Sequence, residues 1–195
     1  MMGHNFERYS ETVAYAARIH ATQPRKGTDT PYLSHLLSVS ALVMEYGGDD
    51  DQTIAGLLHD AIEDCGQDKE AEIRMLFGDH VASIVRGCTD GVPGEARNQS
   101  TWRSRKEYYL EQLRSASGDV QLVSACDKLH NARSIAADVA AGHNVFARFN
   151  QNRDQTFWYY DSLRAVFAGR LGESSGIVRE LSSAVERMKA EPLHA

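Results

Sequence analysis

Ionisable side chains interrupt an apolar segment in residues 54–65. The segment IAGLLHDAIEDC carries His59, Asp60, Glu63 and Asp64 among residues whose apolar character predicts a buried helix. In a helix, residues four apart share a face, so His59 is expected above Glu63, and Asp60 above Asp64. An unpaired buried carboxylate is costly, whereas a bound cation compensates its charge directly. The alternative for this helix alone is an exposed acidic face with one hydrogen-bonded histidine.

Two further polar residues lie in apolar helical segments. His35 follows the proline-marked start of TPYLSHLLSVSALV, and Asp127 lies inside LVSACDKLHNARSI. Each alone is typical of a hydrogen-bonded core residue. Together with His59 and Asp60 they supply two imidazoles and two carboxylates from separate helices. This mixed set of nitrogen and oxygen donors suits manganese, iron or zinc better than magnesium or calcium.

The charge of the chain limits the classes of ligand. The 195 residues carry a formal net charge of -6, which argues against a general nucleic-acid binder. A small anionic ligand needs only a local basic cluster, and QPRKGTD and WRSRKEY are candidates that contain Arg25, Lys26, Arg103, Arg105 and Lys106. Solvated surface charge is the alternative for either cluster alone.

The elements that must position these residues are helices. Apolar residues recur at three and four positions nearly everywhere, so we expect one all-α domain over residues 1–195 with roughly eight to ten helices. No apolar run is long enough for a membrane span and the N-terminus lacks the order of a signal peptide, so we expect a cytoplasmic protein without a membrane partner. His20 and His80 are expected at the surface or the edge of the core.

The order H, HD, D resembles the signature of the HD phosphohydrolases, and closer matches narrow the resemblance. The chain resembles the hydrolase domain of the RelA/SpoT alarmone enzymes and, in size, the small stand-alone hydrolases related to metazoan SpoT homologue. RKGTDTPYLSH resembles the R-K, P-Y and H opening of the family, and LLHDAIED its HD-x-x-ED core. SRKEYY resembles its middle basic segment, and DKLHNARS its closing D-K/R-L-x-N motif. The matches fall in order across residues 25–134.

The resemblance implies an activity and a set of site residues. The family removes pyrophosphate from the 3′ position of (p)ppGpp with a single manganese ion. The metal ligands would be His35, His59, Asp60 and Asp127, and the catalytic pair Glu63 and Asp64, either of which can serve as the base. The resemblance also implies substrate contacts, with Arg25 and Lys26 near the nucleotide, Asn131 and Ser134 at the sugar and base, Arg105 and Lys106 at the diphosphates, and Arg153 as the loosest match.

Two departures from the family leave other functions open. Ser124 stands where many relatives carry lysine, and R-K-G-T-D-T-P-Y replaces R-K-S-G-E-P-Y. A related nucleotide, such as (p)ppApp, the 2′-phosphate of NADPH or a deoxynucleotide, is therefore an alternative small-molecule substrate. A metal-dependent alarmone sensor without catalysis is the alternative from another class. The intact pair of Glu63 and Asp64 argues against a sensor, because binding alone does not need these carboxylates.

Overall fold

The computed structural model describes residues 5–90, 101–149 and 152–190. These residues form ten α-helices, a short 3-10 helix at Val145–Arg148 and an isolated β-bridge between Pro24 and Pro31. The all-α prediction is therefore confirmed. The helices are α1 Phe6–Ile19, α2 Leu33–Glu45, α3 Asp50–Leu58, α4 Ala61–Cys65, α5 Lys69–Phe77, α6 Asp79–Cys88, α7 Trp102–Ser115, α8 Gly118–Ala140, α9 Arg153–Leu171 and α10 Gly176–Lys189.

The chain divides into two compact units. The first contains α1 to α6 and the start of α8 through Cys126. The second contains Asp90, α7, the remainder of α8 from Asp127, and α9 and α10. The expectation of a single domain over residues 1–195 stays a prediction. Among the described residues, every helix is too short or too polar to cross a lipid bilayer.

The core of the first unit is built around close packing of α2 against α3. A Cβ atom at Gly56 would lie 3.1 Å from the Cα atom of Ser40, so only glycine allows this approach without displacement of a helix. The buried Ser40 hydroxyl donates to the carbonyl oxygen of Thr53 at 2.9 Å, which ties the two helices together. Because this contact holds α2 and α3 together, it keeps His35 on α2 close to His59 at the end of α3.

The start of α3 is set by a capping box. The Asp49 carboxylate accepts from the Gln52 backbone N–H at 2.9 Å, and the Gln52 side chain accepts from the Asp49 N–H at 2.8 Å. The amide of Gln52 also donates to Asp119 at 2.7 Å, near the start of α8. The same end of α8 packs on α6, where a Cβ atom at Gly87 would lie 2.5 Å from Val120.

The second unit has an aromatic core between α7 and α9. Trp102 contacts Tyr159 edge to face at 5.9 Å between ring centroids, and the Arg103 guanidinium lies 3.2 Å from the centroid of Trp158. Leu163 on α9 and Leu181 on α10 are fully buried. Tyr159 therefore belongs to the core of this unit, and the half-buried Trp102 and Trp158 pack at its edge.

Replacement of Gly56 tests the close approach of α2 and α3. We expect Gly56→Ala to lower the free energy of unfolding by about 1–2 kcal/mol, because the new methyl group meets backbone atoms. Gly169→Ala in α9 is the matched control, since no described atom lies within 4 Å of its added Cβ. It should stabilise by up to about 1 kcal/mol through helix propensity. Denaturant unfolding of both variants checks this, and equal effects would contradict it.

His80 should make the stability of the first unit depend on pH. Its ring nitrogens lie 3.1 Å from Asp119 and 3.0 Å from Asp51, and hydrogen bonds to these two carboxylates raise the pKa of His80 above its usual value of 6.5. The stabilisation is full below the unfolded-state pKa and is lost as the pH rises through the folded-state pKa. We expect His80→Gln to lower the melting temperature more at about pH 5.5 than at about pH 9. A pH-independent difference would refute this coupling.

Candidate active site

The His59-Asp60 doublet lies at a break between two helices. Helix α3 ends at Leu58 and α4 begins at Ala61, so the prediction of one continuous helix is wrong at the doublet. Asp60 has φ −98° and ψ −2°, outside regular helix geometry. The His59 side chain also competes for a carbonyl of the last turn, since its Nδ1 lies 2.9 Å from the oxygen of Gly56.

The expected spacing across the break is kept for Asp60 and Asp64. The backbone N–H of Asp64 donates to the carbonyl oxygen of Asp60 at 2.8 Å, so these two residues remain one helical turn apart. His59 is the C-cap residue of α3, one position before Asp60 at the break. Its ring contacts that of His35 on α2.

The two histidines meet in the interior of the first unit. His35 is in the first turn of α2 and His59 follows α3, and their rings contact edge to face at 5.1 Å between centroids. The exposed fractions are 1% for His35 and 2% for His59. A hydrogen bond from His59 Nδ1 to the Gly56 carbonyl assigns the tautomer that leaves the lone pair on Nε2. That nitrogen is thereby prepared to bind a cation.

The Asp60 carboxylate lies beside both imidazoles. Its Oδ2 atom is 2.9 Å from Nε2 of His59 and 3.6 Å from Nε2 of His35. The hydroxyl of Tyr32 donates to the same oxygen at 2.5 Å. The Asp60 side chain is 19% exposed, so part of it faces solvent.

Asp127 joins the histidines in a candidate metal-binding group. His35, His59 and Asp127 are all buried, and each offers a ligand atom within 4.8 Å of those of the other two. Asp127 directly follows Cys126 in uninterrupted helix α8, whose first part packs within the first unit. The donor set of two imidazoles and a carboxylate, with Asp60 beside it, fits a divalent transition metal.

Two neighbours on α8 hold the Asp127 carboxylate. Lys128 Nζ lies 2.6 Å from Oδ2, and Asn131 Nδ2 donates to Oδ1 at 2.6 Å. Burial alone would lower the pKa of Lys128, but the carboxylate beside it keeps that pKa well above its ordinary value. Asn131, for which the resemblance implies a role at the sugar and base, therefore holds a candidate metal ligand.

Asp64 lies beyond the metal group on α4. Partial desolvation raises the pKa of Asp64, the charge of Asp60 raises it further, and a hydrogen bond from Gln23 opposes both effects. The Gln23 amide donates to Asp64 Oδ2 at 2.7 Å. A carboxylate with a raised pKa is better matched to accept a proton near neutral pH. Glu63, next to it in α4, is half-buried.

The predicted basic contacts have local partners of their own. Arg105 and Lys106 on α7 both pair with the buried Asp90, and Arg105 is itself only 7% exposed. Arg153 donates to the carbonyl oxygen of Lys189 and lies over the ring of Phe157. Ser134 donates to the carbonyl oxygen of His130. Arg25 and Lys26 lie on the loop between α1 and α2, where Lys26 is exposed and Arg25 is half-buried. These roles stay predictions.

Sequence reasoning missed the residues that support the site. Tyr32 contacts the carboxylate of Asp60, and Gln23 contacts that of Asp64. His20, expected at the surface or the core edge, is buried, and its Nδ1 lies 2.7 Å from Oε1 of Gln23. Tyr32 lies three positions before His35, so helical spacing could have indicated a shared side. Gln23 gives no such signal, because its contact depends on how the loop closes.

The comparisons with known proteins agree with this geometry. The HD domain family matches residues 12–157, which is well over half of the chain. The chain belongs to the HD domain family. The matched segment includes every residue of the candidate metal-binding group.

Relatives of this HD domain protein include named hydrolases. It is 34% identical over 128 residues to guanosine-3′,5′-bis(diphosphate) 3′-pyrophosphohydrolase MESH1 of Xenopus tropicalis, an alignment that covers 64% of this chain and 68% of that protein. It is also 34% identical over 125 residues to a probable guanosine-3′,5′-bis(diphosphate) 3′-pyrophosphohydrolase of Synechocystis sp.. That alignment covers 63% of this chain but only 16% of the longer Synechocystis protein.

A solved structure has a fold similar to that of this protein. It is described as a metazoan orthologue of SpoT that hydrolyses ppGpp and plays a role in starvation responses. The TM-score is 0.74 at 26% sequence identity, and the match covers 92% of this chain and 94% of that chain. The predicted resemblance of this HD domain protein to the small RelA/SpoT-type alarmone hydrolases is therefore confirmed.

Ion binding can be tested without an activity assay. A ligand that binds only the folded state stabilises it by about 2.7 kcal/mol at roughly 100 times its dissociation constant. We expect Mn²⁺ to raise the melting temperature of the wild-type protein and of His143→Gln, whose histidine is exposed. We expect no rise for His59→Gln, which loses a buried imidazole donor. An equal rise in all three proteins would exclude His59 as a ligand.

Proposed function

We propose that this HD domain protein is a manganese-dependent hydrolase that removes pyrophosphate from the 3′ position of (p)ppGpp, and that it acts in the cytoplasm. The observation that carries the proposal is the buried group of His35, His59 and Asp127. Asp60 lies against both histidines, and the carboxylate of Asp64 follows one turn later. The named activity of the MESH1 relatives supports the choice of substrate.

The metal would be held by His35, His59, Asp60 and Asp127. A divalent cation bound there would neutralise charge on phosphate oxygens and increase the acidity of a water molecule. Manganese is proposed because the donors mix imidazole nitrogen with carboxylate oxygen, although iron and zinc accept similar donors. The hydrogen bond from Asn131 and the ion pair with Lys128 keep the Asp127 carboxylate in a fixed orientation.

Asp64 and Glu63 would handle the proton of the attacking water. Asp64 lies one helical turn after Asp60 and is not one of the proposed ligands. It can therefore accept a proton while the ligand atoms stay deprotonated for metal binding. Its place one helical turn after Asp60 and the hydrogen bond from Gln23 favour this role, since they hold the carboxylate beside the proposed ligands. Glu63 shares the short helix α4 and would orient the same water.

Basic residues would bind the polyanionic substrate. Lys26 is exposed on the loop between α1 and α2, so a phosphate group can approach it from solvent. Arg25 beside it offers a planar guanidinium that can pair with phosphate or stack on a purine. Arg105 and Lys106 would take part by exchanging their contacts with Asp90 for phosphate oxygens. The roles of Asn131, Ser134 and Arg153 at the nucleotide are proposed on the family resemblance.

The decisive experiment is hydrolysis by variants of the catalytic pair. With Mn²⁺ and ppGpp, the wild-type protein should release pyrophosphate, and Glu63→Gln with Asp64→Asn should lower kcat by roughly 10²–10⁴-fold through loss of the base. Asp68→Asn is the matched control, because Asp68 is an exposed acid a few residues further along. Its kcat should stay at the wild-type value. An unchanged rate in the double variant would refute the proposed role of the pair.

A panel of nucleotides separates the substrates. ppGpp is expected to have the highest kcat/KM among ppGpp, ppApp, NADPH and deoxynucleoside triphosphates. A higher value for another member would move the proposal to that nucleotide. Tight ppGpp binding with no product from any member would show a sensor rather than an enzyme.

A further inference from the structure

The loop between α1 and α2 is closed at its base by backbone hydrogen bonds. The N–H of Tyr32 donates to the carbonyl oxygen of Gln23 at 2.8 Å, and the N–H of Arg25 donates to that of Thr30 at 2.8 Å. These bonds flank the bridge between Pro24 and Pro31. Gln23 and Tyr32 are therefore held side by side although eight residues separate them.

Each of these two residues donates a hydrogen bond to one carboxylate. The Gln23 amide reaches Oδ2 of Asp64 at 2.7 Å, and the Tyr32 hydroxyl reaches Oδ2 of Asp60 at 2.5 Å. Asp60 and Asp64 are themselves one helical turn apart. The closed end of the loop thus bridges Asp60, the candidate metal ligand, and Asp64, the candidate proton acceptor. Their like charges would otherwise drive them apart.

The orientation of the Gln23 amide is determined by its partners. An ionised carboxylate only accepts hydrogen bonds, so the amide nitrogen must face Asp64. The amide oxygen faces Nδ1 of His20 at 2.7 Å, and this nitrogen donates a hydrogen to it. His20 is 3% exposed and cannot easily turn to another partner. The buried ring thus fixes which end of the amide meets the carboxylate.

Aromatic packing holds the closed end of the loop against the histidines of the candidate active site. The ring of Tyr32 stacks on His20 with centroids 5.5 Å apart, and it forms a T-shaped contact with His35 with centroids 5.4 Å apart. Cys65 Sγ lies 3.7 Å from both ring nitrogens of His20. The donors of Gln23 and Tyr32 consequently have little freedom to follow a carboxylate that moves.

We propose that Gln23 and Tyr32 are positioning residues, which hold Asp64 for proton transfer and Asp60 for metal binding. The inference rests on the proposed function and adds a division of labour between the two donors. Tyr32 acts through a candidate ligand, so its hydroxyl governs metal affinity. Gln23 acts through a carboxylate outside the ligand group, so its amide governs turnover. The same loop carries Arg25 and Lys26 between these donors, which connects the substrate-binding segment to both carboxylates.

The two donors predict different defects in variants. Tyr32→Phe keeps the ring and removes the hydroxyl, and it should weaken Mn²⁺ binding by roughly 10-fold or more. Gln23→Met keeps the length of the side chain and removes the amide. It should lower kcat by roughly 10-fold or more, with KM and Mn²⁺ affinity within about twofold of the wild-type values. Calorimetric titration measures the affinity, and steady-state kinetics at saturating metal gives kcat and KM.

Matched controls exist on α7, in the second unit. Tyr108→Phe and Gln112→Met make the same chemical changes at exposed positions. We expect both to match the wild-type protein in metal affinity and turnover. Circular dichroism and melting temperatures report whether each variant is folded.

Two results would overturn the inference. One is an unchanged Mn²⁺ affinity in Tyr32→Phe. The other is a Gln23→Met variant that keeps the wild-type kcat, or that loses metal affinity and melting temperature along with it, as a merely structural role would require. A wild-type protein that binds Mn²⁺ but leaves ppGpp intact would refute the proposed function. The affinity of Tyr32→Phe, and crystal structures that compare the Asp64 orientation in the wild-type protein and Gln23→Met, would then still decide the positioning roles.

Discussion

Electron-pair donors are concentrated around His59, and the rest of the site depends on how they are held. Two imidazoles and the Asp127 carboxylate bring ligand atoms within 4.8 Å of one another, and Asp60 lies against both rings. Such a group gains nothing from burial by itself, because carboxylates repel one another and lose solvation. A cation among the donors reverses that balance. The surrounding residues can therefore be understood as a frame that keeps donors together.

The frame consists of ordinary helix packing combined with a few specific polar bonds. Gly56 lets α3 approach α2 closely, which brings His59 to His35. The Gly56 carbonyl then selects the tautomer of His59. Thus one position supplies both the space for the helices and the hydrogen bond that prepares the ring. The missing side chain of Gly56 gives the space, and its backbone carbonyl gives the hydrogen bond.

Acidic groups at the site differ in how their charge is compensated. Asp127 has a lysine beside it and an amide one turn away. Asp60 has a tyrosine hydroxyl, and Asp64 has a glutamine amide that only partly offsets desolvation and the field of Asp60. Asp127, the buried candidate ligand, therefore has a positive charge beside it, whereas Asp64, proposed to accept a proton, is exposed and has a neutral amide donor. These different partners match the two proposed roles, which are metal binding for Asp127 and proton transfer for Asp64.

The sequence by itself determined the helical class, since apolar periodicity is a local property, and the order of its motifs indicated the donor residues His35, His59, Asp60 and Asp127. It also pointed to the family that the comparisons confirm. Only the tertiary structure decided the break after Leu58 and the contacts of Gln23, Tyr32 and His20 with the site. The reason is that these features depend on which distant groups meet when a loop closes and two helices pack. Spacing along one helix contains no information about such meetings.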